Sequence, residues 1–366
     1  MPPQQAISFA RGVPSPDIID AAGLAEAAQA AFSGHTAQVW GYGPPTGFEP
    51  LRRQIADRHG VAADNVLVTN GSMQAVSFLF DLIVKAGSPV VVESPTYDCT
   101  LKNLRGRGAA LHSVPMTVDG IDVDELADAL RGGLRPELVH VIPNFQNPSG
   151  HTMASHHRKH LVELAAEWDF VILEDDPYHD LNFEGEPPET LLSLDTRDRV
   201  VLASSFSKTI APGLRCGYLV APEELIRDLA AIASNNYLCP TMTTQVIAYE
   251  FGASGRLDKA LHHARTSLRL RRDTMIAELH REIPEAKFTT PAGGYFLWVE
   301  MPAGIPVSRL AVEAGKLGVG FTAGEEFFLH RGGNFLRLAY SGLLPSQIKD
   351  GVHRLATAAR TVLAGS

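Results

Sequence analysis

The chain has 366 residues, 45% of them apolar, and a formal net charge of −9. That length suits one large domain with a smaller one beside it, and the apolar share excludes a disordered chain. The negative balance argues against a general nucleic-acid or anionic-membrane partner, while leaving room for a local basic pocket.

Three cysteines, Cys99, Cys216 and Cys239, do not make a disulfide framework and fit a reducing compartment. The opening stretch, MPPQQAISFARG, has no basic segment leading into an apolar run. No apolar run approaches the roughly 20 residues that a spanning helix needs. A cytoplasmic protein is expected.

In chain order, short runs rich in Val and Ile read as buried strands: Val66–Thr69, Val90–Glu93, Leu138–Ile142, Val171–Glu174 and Val200–Ser204. Helical periodicity separates most of them, as in Ser72–Ala86, Val123–Leu130 and Ser155–Trp168. Strands alternating with helices predict a mainly parallel sheet covered on both faces. After about Pro240 a charged helical stretch, Leu257–Glu282, leads through Gly293-Gly294 to strand-like Tyr295–Glu300 and Asn334–Ser341. This predicts a small α+β domain over 256–366, a large domain over 36–255, and an N-terminal segment, 1–35, packing with the small domain.

Ligands of open α/β sheets bind beyond the carboxyl ends of the strands, and the chemically suggestive residues follow those runs. In SSFSKTIAPGLRCGY, residues 204–218, Lys208 stands among Ser205, Ser207 and Thr209, with Arg215 further on. A lysine that bonds a carbonyl carbon must spend time neutral, and hydroxyls with an arginine suit a phosphate. Alone, Lys208 reads as an ordinary surface lysine. In VILEDDPYHDL, residues 171–181, Asp175 ends an apolar strand and Tyr178 follows; a buried carboxylate there needs a partner, a pyridinium or a metal. Asn147 precedes Pro148 in VIPNFQNPSG, a stretch that alone reads as a turn. Asn70-Gly71-Ser72 turns a strand into a helix, whose free N–H groups suit an anion, although Ser72 also reads as a cap. Tyr97 follows another strand, where its ring can lie against a planar ligand.

The order of these segments resembles a fold-type I pyridoxal-phosphate enzyme of the class I/II aminotransferase family, nearest the 2-aminoadipate/kynurenine-type broad aminotransferase branch. The likeness runs from about Phe9 to Ala359. It implies an aspartate aminotransferase-like fold: a large domain with a seven-stranded type of sheet and a smaller α+β domain. It implies that Lys208 carries pyridoxal 5'-phosphate, Asp175 holds the ring nitrogen's proton, and Asn147 and Tyr178 bond the phenolic oxygen. Ser72, Met73, Gln74, Ser205, Ser207 and Arg215 cradle the phosphate, and Tyr97 stacks on the ring. Arg337, in NFLRLAYS, takes the substrate α-carboxylate, and Arg11 and Gly12 lie beside the substrate. Tyr42, in VWGYGPPTGFEPLR, reaches the phosphate of a neighbouring subunit, which implies a homodimer with sites at its interface.

The reaction so implied moves the α-amino group of an amino acid to a 2-oxo acid by a ping-pong mechanism, with Lys208 as base and acid. Elimination, cyclisation or decarboxylation on the same residues is the alternative. A transcription regulator built on this fold needs an N-terminal winged helix, and a likeness beginning by Phe9 argues against one. His151, His156, His157 and His160 lack a clear carboxylate or Cys partner, so no metal is expected. Two residues depart from the family's pattern: Arg11 stands where a small residue is usual, and Met73 where a polar one is.

Overall fold

The computed structural model describes residues 6–186, 188–330 and 332–365. Its strands are β1 (Ile7–Ser8), β2 (Val66–Thr69), β3 (Pro89–Ser94), β4 (Ala110–Thr117), β5 (Gly120–Ile121) and β6 (Leu138–Val141). There follow β7 (Val171–Asp175), β8 (Val200–Ser205), β9 (Gly217–Val220), β10 (Phe296–Glu300), β11 (Val319–Gly320), β12 (Thr322–Ala323) and β13 (Phe335–Ala339). Strands β2 to β9 form one sheet in the order β2-β9-β8-β7-β6-β3-β4-β5. Neighbours from β8 through β4 run parallel, while β9 lies antiparallel to both β8 and β2. The eighth strand is the short β5, which folds back on the end of β4 as a two-residue hairpin.

The valine runs are continuous because both faces of the sheet are buried. Val90 and Val92 point into one apolar layer with Leu79, from the helix Ser72–Ile83, and Leu229, from Glu223–Tyr237. Val91 points the other way, onto Leu126 and Leu161 of the helices Val123–Arg131 and Ser155–Trp168. The strand Ala110–Thr117 is absent from the sequence expectation, because it lies near the edge and is only partly buried, so no apolar run marks it. The helix that begins at Ser72 ends at Ile83 rather than Ala86: Val84 is extended, and Gly87 turns the chain with a positive φ of 87°.

Strands β10, β13 and β12 form an antiparallel sheet in that order, backed by the helices Arg256–Glu282 and Pro345–Ala364. The N-terminal segment is drawn into this layer. Strand β1 pairs in parallel with β11, and Phe9 O accepts a hydrogen bond from Ala339 N at 2.8 Å. Arg271 then holds Ser15 Oγ at 2.6 Å and Asp17 Oδ2 at 2.5 Å. Residues 10–13 are thereby pinned at both ends across the carboxyl edge of the large sheet. The helix Ala21–Gly34 takes a different course and buries Ala27 and Ala31 with Val246 and Phe251 of the helix Met242–Ala253. Ile142, Phe145, Tyr178 and Leu181 carry the small-domain core into the loops that follow β6 and β7.

Candidate active site

A cavity of roughly 430 Å³ opens where the carboxyl ends of β7 and β8 meet β10, β13 and residues 10–13. Lys208 lies on the turn after β8. Its Nζ donates to the carbonyl of Gly12 at 2.6 Å and stands 5.2 Å from the Tyr295 ring and 6.0 Å from that of Tyr178. Burial, aided by the charges of Arg337 and Arg215, lowers Lys208 from 10.5 to about 8. Such an amine is neutral for a useful fraction of the time near neutral pH. Tyr295 fastens the same turn, donating from its hydroxyl to Lys208 O at 3.2 Å.

Asp175 ends β7 and lines the cavity with Lys208. Asn147, on the loop after β6, accepts from Arg337 Nη1 at 2.7 Å through Oδ1. The side chain of Gln146 sets that loop in place. Its Nε2 donates to Glu93 Oε2 and to Pro95 O, both at 2.8 Å, and its Oε1 accepts from Ser149 N at 2.8 Å. One buried amide thus ties the loop bearing Asn147 to the loop that leads to Tyr97. Burial pushes Glu93 up to about 8, so this carboxyl serves as a buried anchor. Tyr178 packs edge-on against Tyr295 and Phe296, and burial raises its phenol above the ordinary range, as it does that of Tyr97.

At the other end of the cavity, Ser72 and Met73 open the helix Ser72–Ile83, whose first N–H groups lack partners in their own helix. Ser205, Ser207 and Arg215 face them. The Arg215 guanidinium makes only long contacts, at 3.5 Å, to Ser207 Oγ, Pro212 O and Asn70 O. It has no carboxylate partner among the described residues. Gly217 of β9 passes so close behind Ser72 that a Cβ there would overlap its backbone nitrogen. Free N–H groups, hydroxyls and a cation without an anion form a cradle suited to a phosphate.

Arg337 also lines the cavity. It lies between the rings of Phe296 and Phe327, at 4.3 and 4.8 Å, and donates to Asn147, Ala10 O and Thr322 Oγ1. Its Nε is buried without a partner, and no described carboxylate pairs with it. A buried guanidinium in that state calls for an incoming anion. Arg11 is exposed at the mouth, also without an ion pair among the described residues.

Thirteen of the residues singled out from sequence therefore line one cavity: Arg11, Gly12, Ser72, Met73, Tyr97, Asn147, Asp175, Tyr178, Ser205, Ser207, Lys208, Arg215 and Arg337. Gln74 does not; its Oε1 accepts from Asn70 N at 3.0 Å and steadies the turn before the helix. Tyr42 stands apart and is 88% exposed. Gln146, Glu93, Tyr295, Phe296 and Phe327 escaped the sequence reading. Gln146 stands next to Asn147 and was open to discovery, whereas nothing local marks Phe327 as a wall for Arg337.

A lysine of lowered basicity and an anion cradle at this edge of such a sheet place the molecule among the fold-type I enzymes, which work through pyridoxal phosphate held on a lysine. Within them, the chain belongs to the family described as aminotransferase class I and II, whose model matches residues 5–355. It is 34% identical over 362 residues to aromatic-amino-acid aminotransferase 1 of Thermococcus litoralis, covering 96% of this chain and 87% of that one. The Pyrococcus horikoshii kynurenine aminotransferase, solved with PMP, superposes with a TM-score of 0.94 at 32% identity, covering 98% of this chain and 92% of the other. The α-aminoadipate aminotransferase of Thermus thermophilus, solved with N-(5'-phosphopyridoxyl)-L-leucine, gives 0.93 at 34% identity, with 99% and 94% covered. The protein is an aminotransferase that depends on pyridoxal phosphate, and elimination, cyclisation and decarboxylation give way to transfer of an amino group to a 2-oxo acid.

Proposed function

We propose that the cavity around Lys208 holds the cofactor and both substrates in turn, and that its donors are amino acids with long side chains, acidic ones favoured. The observation that carries the reading is the pairing of two anion sites, the Ser72–Arg215 cradle and the Arg337 clamp, in one cavity with Lys208, which feels the charge of both arginines. The relatives' donors, aromatic, kynurenine and 2-aminoadipate, fit walls built from Tyr97, Ile142 and Phe296 with Arg11 at the mouth.

Ser72, Met73, Ser205, Ser207 and Arg215 would hold the phosphate, Asp175 the ring nitrogen, Asn147 and Tyr178 the phenolic oxygen, and Lys208 the carbonyl carbon. When bound, the cofactor supplies a carbon for the amine to bond and a ring that withdraws the charge left at Cα. The Arg337 guanidinium would take the α-carboxylate and orient the Cα–H bond. Lys208 Nζ would take the Cα proton and hold it for return. Asp175 would set its carboxylate against the ring nitrogen, where it favours the protonated ring. The aromatic walls keep water from the reacting atoms.

No described helix is long and apolar enough to cross a membrane, and we place the enzyme in the cytoplasm, in amino-acid biosynthesis. The exposed Trp40 and Tyr42, with Phe32 stacked on Trp40 at 5.4 Å, suit a homodimer interface. The test of the central reading is Lys208→Ala. Amino transfer should vanish, and the visible absorbance of bound cofactor should no longer shift when an amino acid is added. Normal turnover with the usual spectrum would assign the work to another lysine.

A further inference from the structure

One group close to the cavity has no place in the mechanism above. His140, in β6, is completely buried, and its cross-strand neighbours are Val92 and Leu173. Strand alternation puts its ring on the face that Leu138, Val90, Val92 and Leu173 fill with apolar surface. Neither ring nitrogen has a hydrogen-bond partner among the described residues. A leucine would fill such a place without the cost of a buried polar group.

Only one carboxylate comes within ion-pair distance of the ring among the described residues. Asp175 lies two residues beyond Leu173 on the same face of β7, and its Oδ2 stands 3.5 Å from His140 Nε2. That is the outer limit of a hydrogen bond, and a shift of about half an ångström makes a normal one. The Asp175 carboxylate in turn receives no hydrogen bond from any other described residue. The other buried acid nearby, Glu93, is already occupied by Ile142 N at 3.2 Å and Gln146 Nε2 at 2.8 Å. The two groups left without partners therefore face each other.

We propose that His140 is a positioning residue for Asp175: its Nε2–H donates to Oδ2, fixes the plane of the carboxylate and leaves the other oxygen to face the cavity. Asp175 sits at a strand end with no other donor among the described residues to hold its carboxylate, so its orientation depends on this contact. The effect on catalysis rests on the reading of Asp175 as partner of the cofactor's ring nitrogen; the pairing itself does not.

The test has two arms. In the first, ring-¹⁵N-labelled histidine is observed by NMR in the cofactor-free protein. His140 should carry its proton on Nε2, exchange slowly, and shift when Asp175→Asn is introduced. A bare Nε2, or a signal indifferent to Asp175→Asn, overturns the pairing. In the second arm, Cα deprotonation is followed in a single turnover of the loaded enzyme. His140→Leu should slow it roughly 10- to 100-fold with the donor KM nearly unchanged, the size typical of lost outer-layer support. His140→Gln, which keeps an N–H donor, should recover part of the rate. In the Asp175→Asn background, His140→Leu should cost less than about twofold, because both act through one contact. A full loss in that background, or none in the wild type, overturns the proposal. Should His140→Leu fail to fold, His140→Gln and the labelled wild type carry the test. An Asp175→Asn enzyme as fast as wild type, with the NMR coupling intact, would instead strike the role given to Asp175.

Discussion

Lys208 and Arg337 sit in one cavity, yet burial serves them differently. For Lys208 it lowers the affinity for a proton, and the nearby guanidinium groups of Arg337 and Arg215 add to the effect. The sign of the pH dependence follows. The neutral amine is the reactive form, so capture of added pyridoxal phosphate by cofactor-free protein should rise about tenfold per pH unit and level off near pH 8. A lysine in water would keep climbing towards 10.5. Stopped-flow absorbance reads the difference. Arg337 keeps its charge and is held open by Asn147 and two aromatic rings. Arg11 has no such support and is exposed, so its contribution is that of a solvated charge, up to about 1 kcal/mol. Arg11→Ala should therefore raise KM roughly two- to fivefold for dicarboxylic donors and leave leucine unchanged. Equal effects on both would make Arg11 structural.

At the scale of elements, the cradle proposed for the phosphate is a joint between one strand and one helix. Strand β9 approaches the first turn of Ser72–Ile83 closely enough that only glycine fits at 217. Arg215, two residues earlier, takes a left-handed φ of 48° and brings its guanidinium back towards Gly71. Gly217→Ala must push the helix start away from the cavity. Cofactor affinity, measured by fluorescence titration, should fall at least tenfold, while amino donors still show their normal order of preference. An unchanged affinity would mean that the helix N-terminus takes no part in holding the phosphate. The loop carrying Asn147 is a second joint, dependent on Gln146 bridging to Glu93 and Pro95.

For the whole molecule, residues 10–13 matter out of proportion to their length. They are anchored by β1 on one side and by Arg271 on the other, and they close the cavity from the small-domain side. What lies outside the single chain is the surface around Trp40 and Tyr42. If a second copy covers it, sedimentation at working concentration should give a dimer. Tyr42→Phe should then weaken cofactor binding in the partner's site, and mixing it with Lys208→Ala chains should yield hybrids with unequal sites. A fully active monomer would remove the interface from the account.

Five of the eight large-sheet strands, β2, β3, β6, β7 and β8, the pattern of helices between most of them and the ordered segments around Asn147, Asp175 and Lys208 were legible in the chain. Each depends on neighbours in sequence: burial on both faces makes Val-rich runs, and strand ends followed by turns place polar residues at one edge. Tertiary structure decided what distant residues supply to one another. Arg337 gains its aromatic walls from Phe296 and Phe327. Lys208 gains its altered basicity from burial and from two arginines elsewhere in the chain. His140, a polar break in an apolar strand, acquires meaning only because the pairing of β6 with β7 sets it beside Asp175. Local patterns reveal which faces are buried; they do not reveal which buried polar groups meet, because that depends on strand register and on where remote loops cross.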